Sequence, residues 1–324
     1  MQKSSRNTFS GSLFPGILLS VLLSVLLLMV LPSAALAAES SSSGSAAGTA
    51  ETTAAAVTHP DGFVKTAKGK QYYKNGVPVK KKWITVKKKK YYFDKKGYMV
   101  TGKKTIGKKL CYFSKKGVLT RSINKKGKMV ALTYDDGPSV YTPIILSVLK
   151  KNDGLATFFV VGNRVNQYKK QLKQAYKMGC EIGNHSWDHS NLSRLSASSL
   201  RSQLNRTNKA VKKITGKKPV LLRPPYGSSN STVASNAKMP LILWSIDTLD
   251  WKTRSTSATI SCIKREVRDG DIILMHDIHK PTAEAAKTIV PWLVDHGYQL
   301  VTVSEMAECR GKLKKGTKYY SIRK

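Results

Sequence analysis

The sequence predicts an α/β domain with a parallel sheet or barrel, preceded by a small module of β-hairpin repeats. After residue 128, short apolar runs alternate with amphipathic segments. Before residue 128, a sequence motif rich in aromatic residues recurs about every 20 residues. The 324 residues include 56 Lys and Arg against 19 Asp and Glu, a formal charge of +37. This balance excludes an ordinary near-neutral cytosolic enzyme and predicts a polyanionic environment.

Residues 1–37 have the pattern of a secretory signal peptide. Lys3 and Arg6 precede an apolar run, and a small-residue tripeptide ending at Ala37 follows it. The uninterrupted part of the run is shorter than the ~20 residues that a membrane-spanning helix needs, which favours cleavage over an uncleaved signal anchor. Residues 38–60, rich in Ala, Ser and Thr, predict a flexible linker. We therefore expect an exported protein with no nucleic-acid partner, which contacts the membrane only if the signal segment is retained.

Residues 61–127 form a basic module of aromatic repeats. Residues 65–128 hold 23 Lys and Arg against one acid, which gives 23 − 1 = +22. The three copies of the motif are Lys70-Gln-Tyr-Tyr-Lys-Asn-Gly76, Lys90-Tyr-Tyr-Phe-Asp-Lys-Lys-Gly97 and Lys109-Leu-Cys-Tyr-Phe-Ser-Lys-Lys-Gly117. Each unit predicts an aromatic strand, a turn that ends in Gly, and a second strand such as Tyr98–Thr101. Because one hairpin cannot bury its own face, we expect the aromatic rings to form a core shared between neighbours.

These units resemble the cell-wall-binding and glucan-binding repeats of Gram-positive surface proteins. The resemblance implies a wall-associated protein of a Gram-positive-type bacterium. With Trp83 as its single tryptophan, the array lacks the Trp and Tyr cages that bind choline. Anionic wall polymers such as teichoic acids suit the lysines better, and the alternative is a solvated face on a spacer.

The segment 128–310 has the alternation of an α/β domain, and a basic tail is predicted at 311–324. Residues 129–310 hold 25 Lys and Arg against 15 acids, which gives 25 − 15 = +10. Strands are expected at Met129–Tyr134, Ala156–Gly162, Cys180–Gly183, Val220–Leu222, Leu241–Ile246, Asp271–Met275 and Gln299–Val303. Helices are expected at Tyr141–Lys151, Arg164–Met178, Ser196–Ile214, Thr256–Arg268 and Thr282–His296. In such folds the chemistry gathers at the carboxyl ends of the strands.

Two polar motifs at predicted strand ends indicate a metal site. Asp135 and Asp136 follow the first strand, and adjacent acids there need a cation or hydrogen bonds to compensate them. His185 and His189 follow the third strand, and on a helical turn side chains four apart share a face and reach one ion. Two histidines and one carboxylate leave a coordination position open for water, which is typical of catalytic zinc. The four cysteines have no spacing of a zinc ribbon.

Three further motifs also follow predicted strands. They are Arg223-Pro-Pro-Tyr226, Asp247-Thr-Leu-Asp-Trp251 and Ile273-Leu-Met-His276. With Thr133-Tyr-Asp-Asp-Gly-Pro138 and His185-Ser-Trp-Asp-His189, they resemble in order the five motifs of the NodB-like polysaccharide deacetylases, carbohydrate esterase family four. The resemblance implies a distorted (β/α) barrel that removes N-acetyl or O-acetyl groups from carbohydrate polymers. Tyr134 stands where the family more often has Phe.

The resemblance also implies a role for each motif residue. The metal ligands would be Asp136, His185 and His189, holding Zn²⁺ or another divalent cation such as Co²⁺. The catalytic group would comprise Asp135 as base, His276 as acid, Asp250 beside His276 and Arg223 beside Asp135. The substrate-binding group would be the backbone N–H of Tyr226 for the oxyanion, with Trp251 and Leu274 around the acetyl methyl. We assign no role to Asp247 and expect His59, His279 and His296 to be surface residues.

The combined expectation is a secreted, wall-associated, monomeric deacetylase. Its expected substrate is N-acetylglucosamine of peptidoglycan, because an export signal and wall-type repeats indicate the same structure. The alternatives are another N-acetylated or O-acetylated polymer, such as chitin, xylan or a capsule polysaccharide, and a wall-binding protein without catalysis.

Overall fold

The computed structural model describes residues 59–324. The predicted signal segment 1–37 and most of the predicted linker therefore lie outside the described residues. The strands are β1 (Gly62–Thr66), β2 (Gly69–Lys74), β3 (Val77–Pro78), β4 (Lys82–Val86), β5 (Lys89–Phe93), β6 (Gly102–Ile106), β7 (Lys109–Phe113), β8 (Leu119–Asn124), β9 (Met129–Asp135), β10 (Thr157–Val160), β11 (Glu181–Asn184), β12 (Leu241–Ile242), β13 (Ile246–Asp247), β14 (Ile272–His276), β15 (Gln299–Leu300) and β16 (Lys318–Tyr319). The helices are α1 (Thr142–Lys151), α2 (Lys169–Met178), α3 (Ala197–Thr215), α4 (Ser231–Ala237), α5 (Asp250–Thr253), α6 (Thr256–Glu266), α7 (Lys280–Asp295) and α8 (Val303–Arg310). In this described part, every helix is too short or too polar to cross a membrane.

The repeat module consists of three antiparallel hairpins, β1–β2, β4–β5 and β6–β7, with β3 and β8 added to the first and third. Aromatic rings join neighbouring hairpins: Phe63 lies 5.0 Å from Tyr91, and Trp83 stacks on Phe113 at 5.8 Å between ring centroids. Phe93, in the middle hairpin, is fully buried. The predicted core of shared aromatic residues is confirmed.

The predicted second strand Tyr98–Thr101 is wrong. This segment joins β5 through a single bridge between Phe93 and Met99. The side chain of Asp94 accepts hydrogen bonds from the backbone N–H groups of Lys96 and Tyr98, which turns the chain sharply directly after β5.

The main sheet has β9 at its centre. Its strand order is β11-β10-β9-β14-β13, β15 pairs with the first residues of β9, and all these pairings are parallel. All seven residues of β9 are buried, as expected of a strand that is covered on both faces. The carboxyl ends of β9, β11, β13 and β14 therefore share one edge, and the predicted α/β architecture is confirmed.

The sheet closes into a distorted barrel through residues after 220. Leu222 forms parallel bridges to Asn184 of β11 and to Leu241 of β12. β12 then pairs with β16, and Ser321 forms a bridge to Asp271 beside β14. The predicted strand Val220–Leu222 is accordingly reduced to the bridges of Leu222, and the predicted strand Leu241–Ile246 is divided between β12 and the first residue of β13.

The predicted basic tail 311–324 is part of the barrel. It supplies β16, buries Ile322 in the hydrophobic core, and places the Arg323 guanidinium 2.7 Å from the buried carboxylate of Asp271. Leu313 and Tyr319 also pack against this core, whereas Tyr320 is exposed.

Three helices, α4, α5 and α8, were not predicted, and α2 begins five residues later than expected. Helix α4 begins after Asn230, whose side chain caps it. Helix α8 begins after Thr302, which forms a capping box with Glu305. That capping box ends the predicted strand Gln299–Val303 after two residues. The residues before α2 include a short 3₁₀ turn at Gly162–Arg164.

The third hairpin packs directly on the barrel. Leu110 and Ile123 are buried in one cluster with Met129 and Val301. Arg121 donates to Glu305 at 2.9 Å and to the carbonyl oxygens of Leu300 and Asp153 at 2.8 Å each. The predicted boundary at residue 127 therefore falls within continuous packing, and the third hairpin forms part of the folded domain.

We expect Arg121→Met to lower the free energy of unfolding by about 2–4 kcal/mol, because it leaves the largely buried Glu305 without its cation. Lys103→Met is the matched control, since it removes an ion pair to Glu308 that is largely exposed, and we expect less than about 1 kcal/mol. Urea unfolding followed by circular dichroism measures both values. Equal losses for the two variants would contradict a specific role for Arg121 in holding the hairpin.

Candidate metal centre and active site

The two adjacent acids lie at the carboxyl end of β9. Asp135 is its last residue and is 3% exposed. Asp136 has a left-handed backbone with φ of 68°, which ends the extended strand. The carboxylates of Asp135 and Asp136 lie 3.7 and 3.4 Å from Nε2 of His185. The following Gly137 is required, because a Cβ there would collide with the carboxylate of Asp277.

Asp136, His185 and His189 form a compact cluster. One ligand atom from each lies within 4.8 Å of the others. The Nε2 atoms of His185 and His189 lie 3.4 and 3.3 Å from the same oxygen of Asp136. Among the described residues, this is the only group of three or more such side chains close enough to hold an ion.

The prediction of a helical turn for the two histidines is wrong. Residues 185–189 form an irregular loop in which Ser186 and His189 both have a φ of 65°. Backbone hydrogen bonds keep the loop in place: His185 donates to Val160, and Gly162 donates to Ser186. The two imidazoles converge through this loop geometry.

The cluster fits a divalent cation. The Nδ1 atom of His185 lies 2.7 Å from the carbonyl oxygen of Arg223, which assigns a proton to Nδ1 and a lone pair to Nε2, the atom that faces Asp136. Oδ1 of Asp136 is buried and has no hydrogen-bond partner in the described part of the chain. Burial alone would raise the pKa of Asp136, but the two imidazoles outweigh it and hold the pKa well below its ordinary value. An ionised carboxylate and imidazole nitrogens are the donor set that zinc prefers.

Asp135 is fixed by a fully buried arginine. The Arg223 guanidinium donates to Asp135 at 2.8 Å and to the Thr133 hydroxyl at 2.7 Å. Its other nitrogens donate to the carbonyl oxygens of Ile242 and Leu243. Each nitrogen of this buried cation thus has a partner, and the ion pair holds the Asp135 carboxylate in one orientation.

His276 ends β14 and is held by Asp250. Its Nδ1 lies 2.8 Å from one Asp250 oxygen, and its backbone N–H donates to the other oxygen at 2.8 Å. The hydroxyl of Thr282 also donates to Asp250, at 2.6 Å. Burial lowers the pKa of His276, but the hydrogen bond and charge of Asp250, together with the more distant Asp135 and Asp136, raise it to about 9. His276 is therefore a cation at neutral pH, with Nε2–H as a proton donor.

The rim of the site is open. Tyr226 is 68% exposed and Trp251 46% exposed, and the Tyr226 hydroxyl lies 3.2 Å from Nδ1 of His189. Leu274 is buried two residues before His276 on β14, so it lies on the same side of the strand, one layer deeper. Tyr226 has a φ of 62°, which sets the orientation of the backbone N–H predicted for the oxyanion. An open rim of this kind suits an extended polymer better than an enclosed small molecule.

Sequence reasoning missed several supporting residues. The expectation that His279 is a surface residue is wrong: it is 8% exposed, and its Nδ1 lies 2.6 Å from Arg254. Asp277 is fully buried between Ser139 and Thr142, and burial raises its pKa to about 7. Nothing in the sequence marks Thr133 or Thr282 as part of the site. Only the fold brings the Thr133 hydroxyl to Arg223 and the Thr282 hydroxyl to Asp250.

Comparison with known proteins decides the family. The family model for polysaccharide deacetylase matches residues 122–241, and that for a choline-binding repeat matches residues 79–122. The peptidoglycan-N-acetylglucosamine deacetylase of Bacillus cereus is 36% identical over 197 residues, which cover 58% of this chain and 92% of that protein. The chain belongs to the polysaccharide deacetylase family.

Larger polysaccharide deacetylases also match. The peptidoglycan-N-acetylmuramic acid deacetylase PdaC of Bacillus subtilis is 44% identical over 190 residues, which cover 58% of this chain and 41% of PdaC. This chain thus spans about two fifths of the length of that relative.

Solved structures match the same region. A T48 deacetylase with substrate has a TM-score of 0.58 and 39% identity, covering 60% of this chain and 96% of that one. A family 4 acetyl xylan esterase of Clostridium thermocellum, in complex with cobalt, has a TM-score of 0.58 and 33% identity, covering 60% and 99%. The distorted barrel predicted from the motifs is confirmed.

Proposed function

We propose that this protein is a metal-dependent deacetylase that hydrolyses N-acetyl groups of peptidoglycan N-acetylglucosamine. The observation that carries the proposal is the cluster of Asp136, His185 and His189, which lies beside both Asp135 and His276. His185 Nε2 is 3.7 Å from Asp135, and β14 places His276 opposite Asp135 in the parallel register. A metal site thus has a base and an acid within the same strand-end cluster.

The Asp136, His185 and His189 side chains would hold Zn²⁺ or another divalent cation such as Co²⁺. When bound, the cation would lower the pKa of a coordinated water and polarise the acetyl carbonyl oxygen. Asp135, oriented by its ion pair with Arg223, accepts the proton of the attacking water.

The leaving amine needs a proton, because an amide nitrogen leaves poorly as an anion. His276 carries that proton on Nε2 at neutral pH, since Asp250 occupies Nδ1. The backbone N–H of Tyr226 is assigned to the developing oxyanion, an electrostatic contribution often of about 3–4 kcal/mol. Trp251 and Leu274 are assigned to the acetyl methyl.

A second candidate sugar is N-acetylmuramic acid, favoured by the match to PdaC. The two sugars share the acetamide that the proposed chemistry attacks, so both are compatible with the site. Mass spectrometry of muropeptides after treatment assigns the loss of the acetyl group to one sugar or the other. Acetate release from xylan or chitin, with none from peptidoglycan, would overturn the proposed substrate.

Secretion, wall association through the lysines of the repeats, and a monomeric state are further parts of the proposal. The charge of the repeat module and the match of its residues to a choline-binding repeat support an anionic wall polymer as its partner. The signal segment that export requires lies outside the described residues.

We expect chelation to abolish acetate release from acetylated peptidoglycan and added Zn²⁺ or Co²⁺ to restore it. His189→Ala removes one of three protein ligands, and we expect it to weaken zinc affinity by at least about tenfold, by analogy with the loss of groups that support a metal site. Isothermal titration of the apoprotein measures affinity independently of catalysis. His296→Ala is the matched control, because His296 is exposed and bonds only within α7. Unchanged affinity in the His189 variant would contradict the assigned ligand set.

A further inference from the structure

A groove of about 1340 Å³ lies between the third hairpin and helices α1 and α2. Asp153–Leu155 and Met178–Gly179, which lead into the first residues of β10 and β11, line it. The catalytic residues follow the opposite ends of the strands. The groove is therefore at the far end of the barrel from the candidate active site and plays no part in the proposed hydrolysis.

The rim of the groove is cationic. Lys170, Lys173 and Lys177 recur at intervals of three and four along α2, so they share one face, and Lys150 lies in the last turn of α1. None of these four exposed lysines has an ion pair within residues 59–324. Helix α2 contains no acid that would neutralise them.

The charge of the groove remains positive after its acids are counted. The lining contains those four lysines and Arg121 against Asp153 and Glu305, which gives 5 − 2 = +3. Glu305 is already neutralised by Arg121 at 2.9 Å. Four clustered cations without partners repel one another, and an anion in the groove relieves that repulsion.

The floor of the groove is apolar. It is formed by the side chains of Tyr112, Leu119, Leu146, Leu155 and Met178. A ligand with a carbon backbone and regularly spaced anions would cover this floor and meet the lysines on the rim. The volume exceeds the ~300–1,000 Å³ of ordinary small-molecule pockets, so the groove has room for an extended ligand.

We propose that this groove binds a segment of a polyol phosphate polymer. Lys170 and Lys177 are seven residues apart, about 10 Å along the helix. Successive phosphodiesters of a polymer that lies along α2 therefore contact different ammonium groups. The polyol carbons lie on the apolar floor. Because hairpin residues form one wall, the bound polymer contacts the repeat module and the catalytic domain together.

Amine footprinting of the full chain tests the location of the site. The protein is acetylated with a lysine reagent, with and without a soluble polyglycerol phosphate oligomer, and each lysine is quantified by mass spectrometry. We expect at least about fivefold protection of the four groove lysines, and less than about twofold protection of Lys209, Lys212 and Lys213 on α3, because the groove lysines contact phosphates directly. Protection confined to the repeat lysines, or equal at all lysines, would overturn the proposal.

A pair of matched variants tests its energetics. K170Q/K173Q/K177Q and K209Q/K212Q/K213Q each remove three positive charges from the exposed surface of one helix. We expect the first to weaken binding of the polyglycerol phosphate oligomer at least about tenfold, and the second less than about twofold, because only the first removes direct contacts. Both variants should keep wild-type melting temperatures and equal deacetylation of a soluble substrate. Equal weakening by both would show general electrostatic attraction, and equal binding of polyglutamate by the wild type would overturn selectivity for phosphate.

Discussion

Asp135→Asn should lower kcat for acetate release from peptidoglycan by about 10³-fold, within the range that removal of a general base produces. The amide cannot accept a proton from water, yet its oxygen still accepts the hydrogen bond from Arg223. Zinc affinity, measured by titration calorimetry, should change much less than kcat, because Asp135 is not one of the three clustered ligands.

Asp188→Asn is the control for this variant. Asp188 belongs to the same histidine loop and is exposed, and the hydrogen bond that one of its oxygens accepts from Ser190 can also be accepted by an asparagine oxygen. We expect kcat within about twofold of wild type, as for other surface substitutions. Thermal unfolding of both variants separates catalytic from structural effects. Substantial activity in a folded Asp135→Asn protein would exclude Asp135 as the base.

Asp250→Asn should shift the alkaline limb of the pH–rate profile downward by about two pH units, towards the ordinary imidazole value of about 6.5. The pKa of His276 is about 9, so its proton is present below that pH and is lost as the pH rises through it. Replacing Asp250 removes the strongest contribution that raises this pKa, while the burial that lowers it remains. At pH 8 the acid would then be largely deprotonated, and we expect kcat to fall by about ten- to thirtyfold, in proportion to the protonated fraction that is lost.

Asp247→Asn is the matched control for Asp250→Asn, since both acids belong to one motif. Asp247 accepts a hydrogen bond from the backbone N–H of Leu249, a contact that asparagine preserves. Its pH–rate profile should coincide with that of the wild type. An alkaline limb that stays near pH 9 in Asp250→Asn would mean that another group donates the proton.

The sequence allowed the catalytic end of the fold to be predicted because its motifs follow strands. Asp135, His185, Arg223 and His276 all lie near the carboxyl ends of the strands that the apolar runs predicted. The spacing of His185 and His189 was compatible with a helical turn, but positive φ angles and long-range backbone contacts produced a loop instead. Local spacing thus identified the ligands without identifying the backbone that presents them.

The parts that were not predicted depend on contacts between distant residues. Arg121 and Glu305 are 184 residues apart, and neither has a local signal that would pair it with the other. Similarly, Thr282 and Asp250 are 32 residues apart. The charge of residues 311–324 concealed the apolar positions that enter the core.

The position of β16 has a consequence for the order of folding. β16 and Ser321 fill the gap between β12 and the strand that carries His276, although they follow every catalytic motif in the chain. Until they dock, β12 has an open edge, and open edges of this kind promote pairing between molecules. Such non-local closure also slows folding. We therefore expect β16 and Ser321, which are far from β9 in the sequence, to form their hydrogen bonds last when the barrel folds.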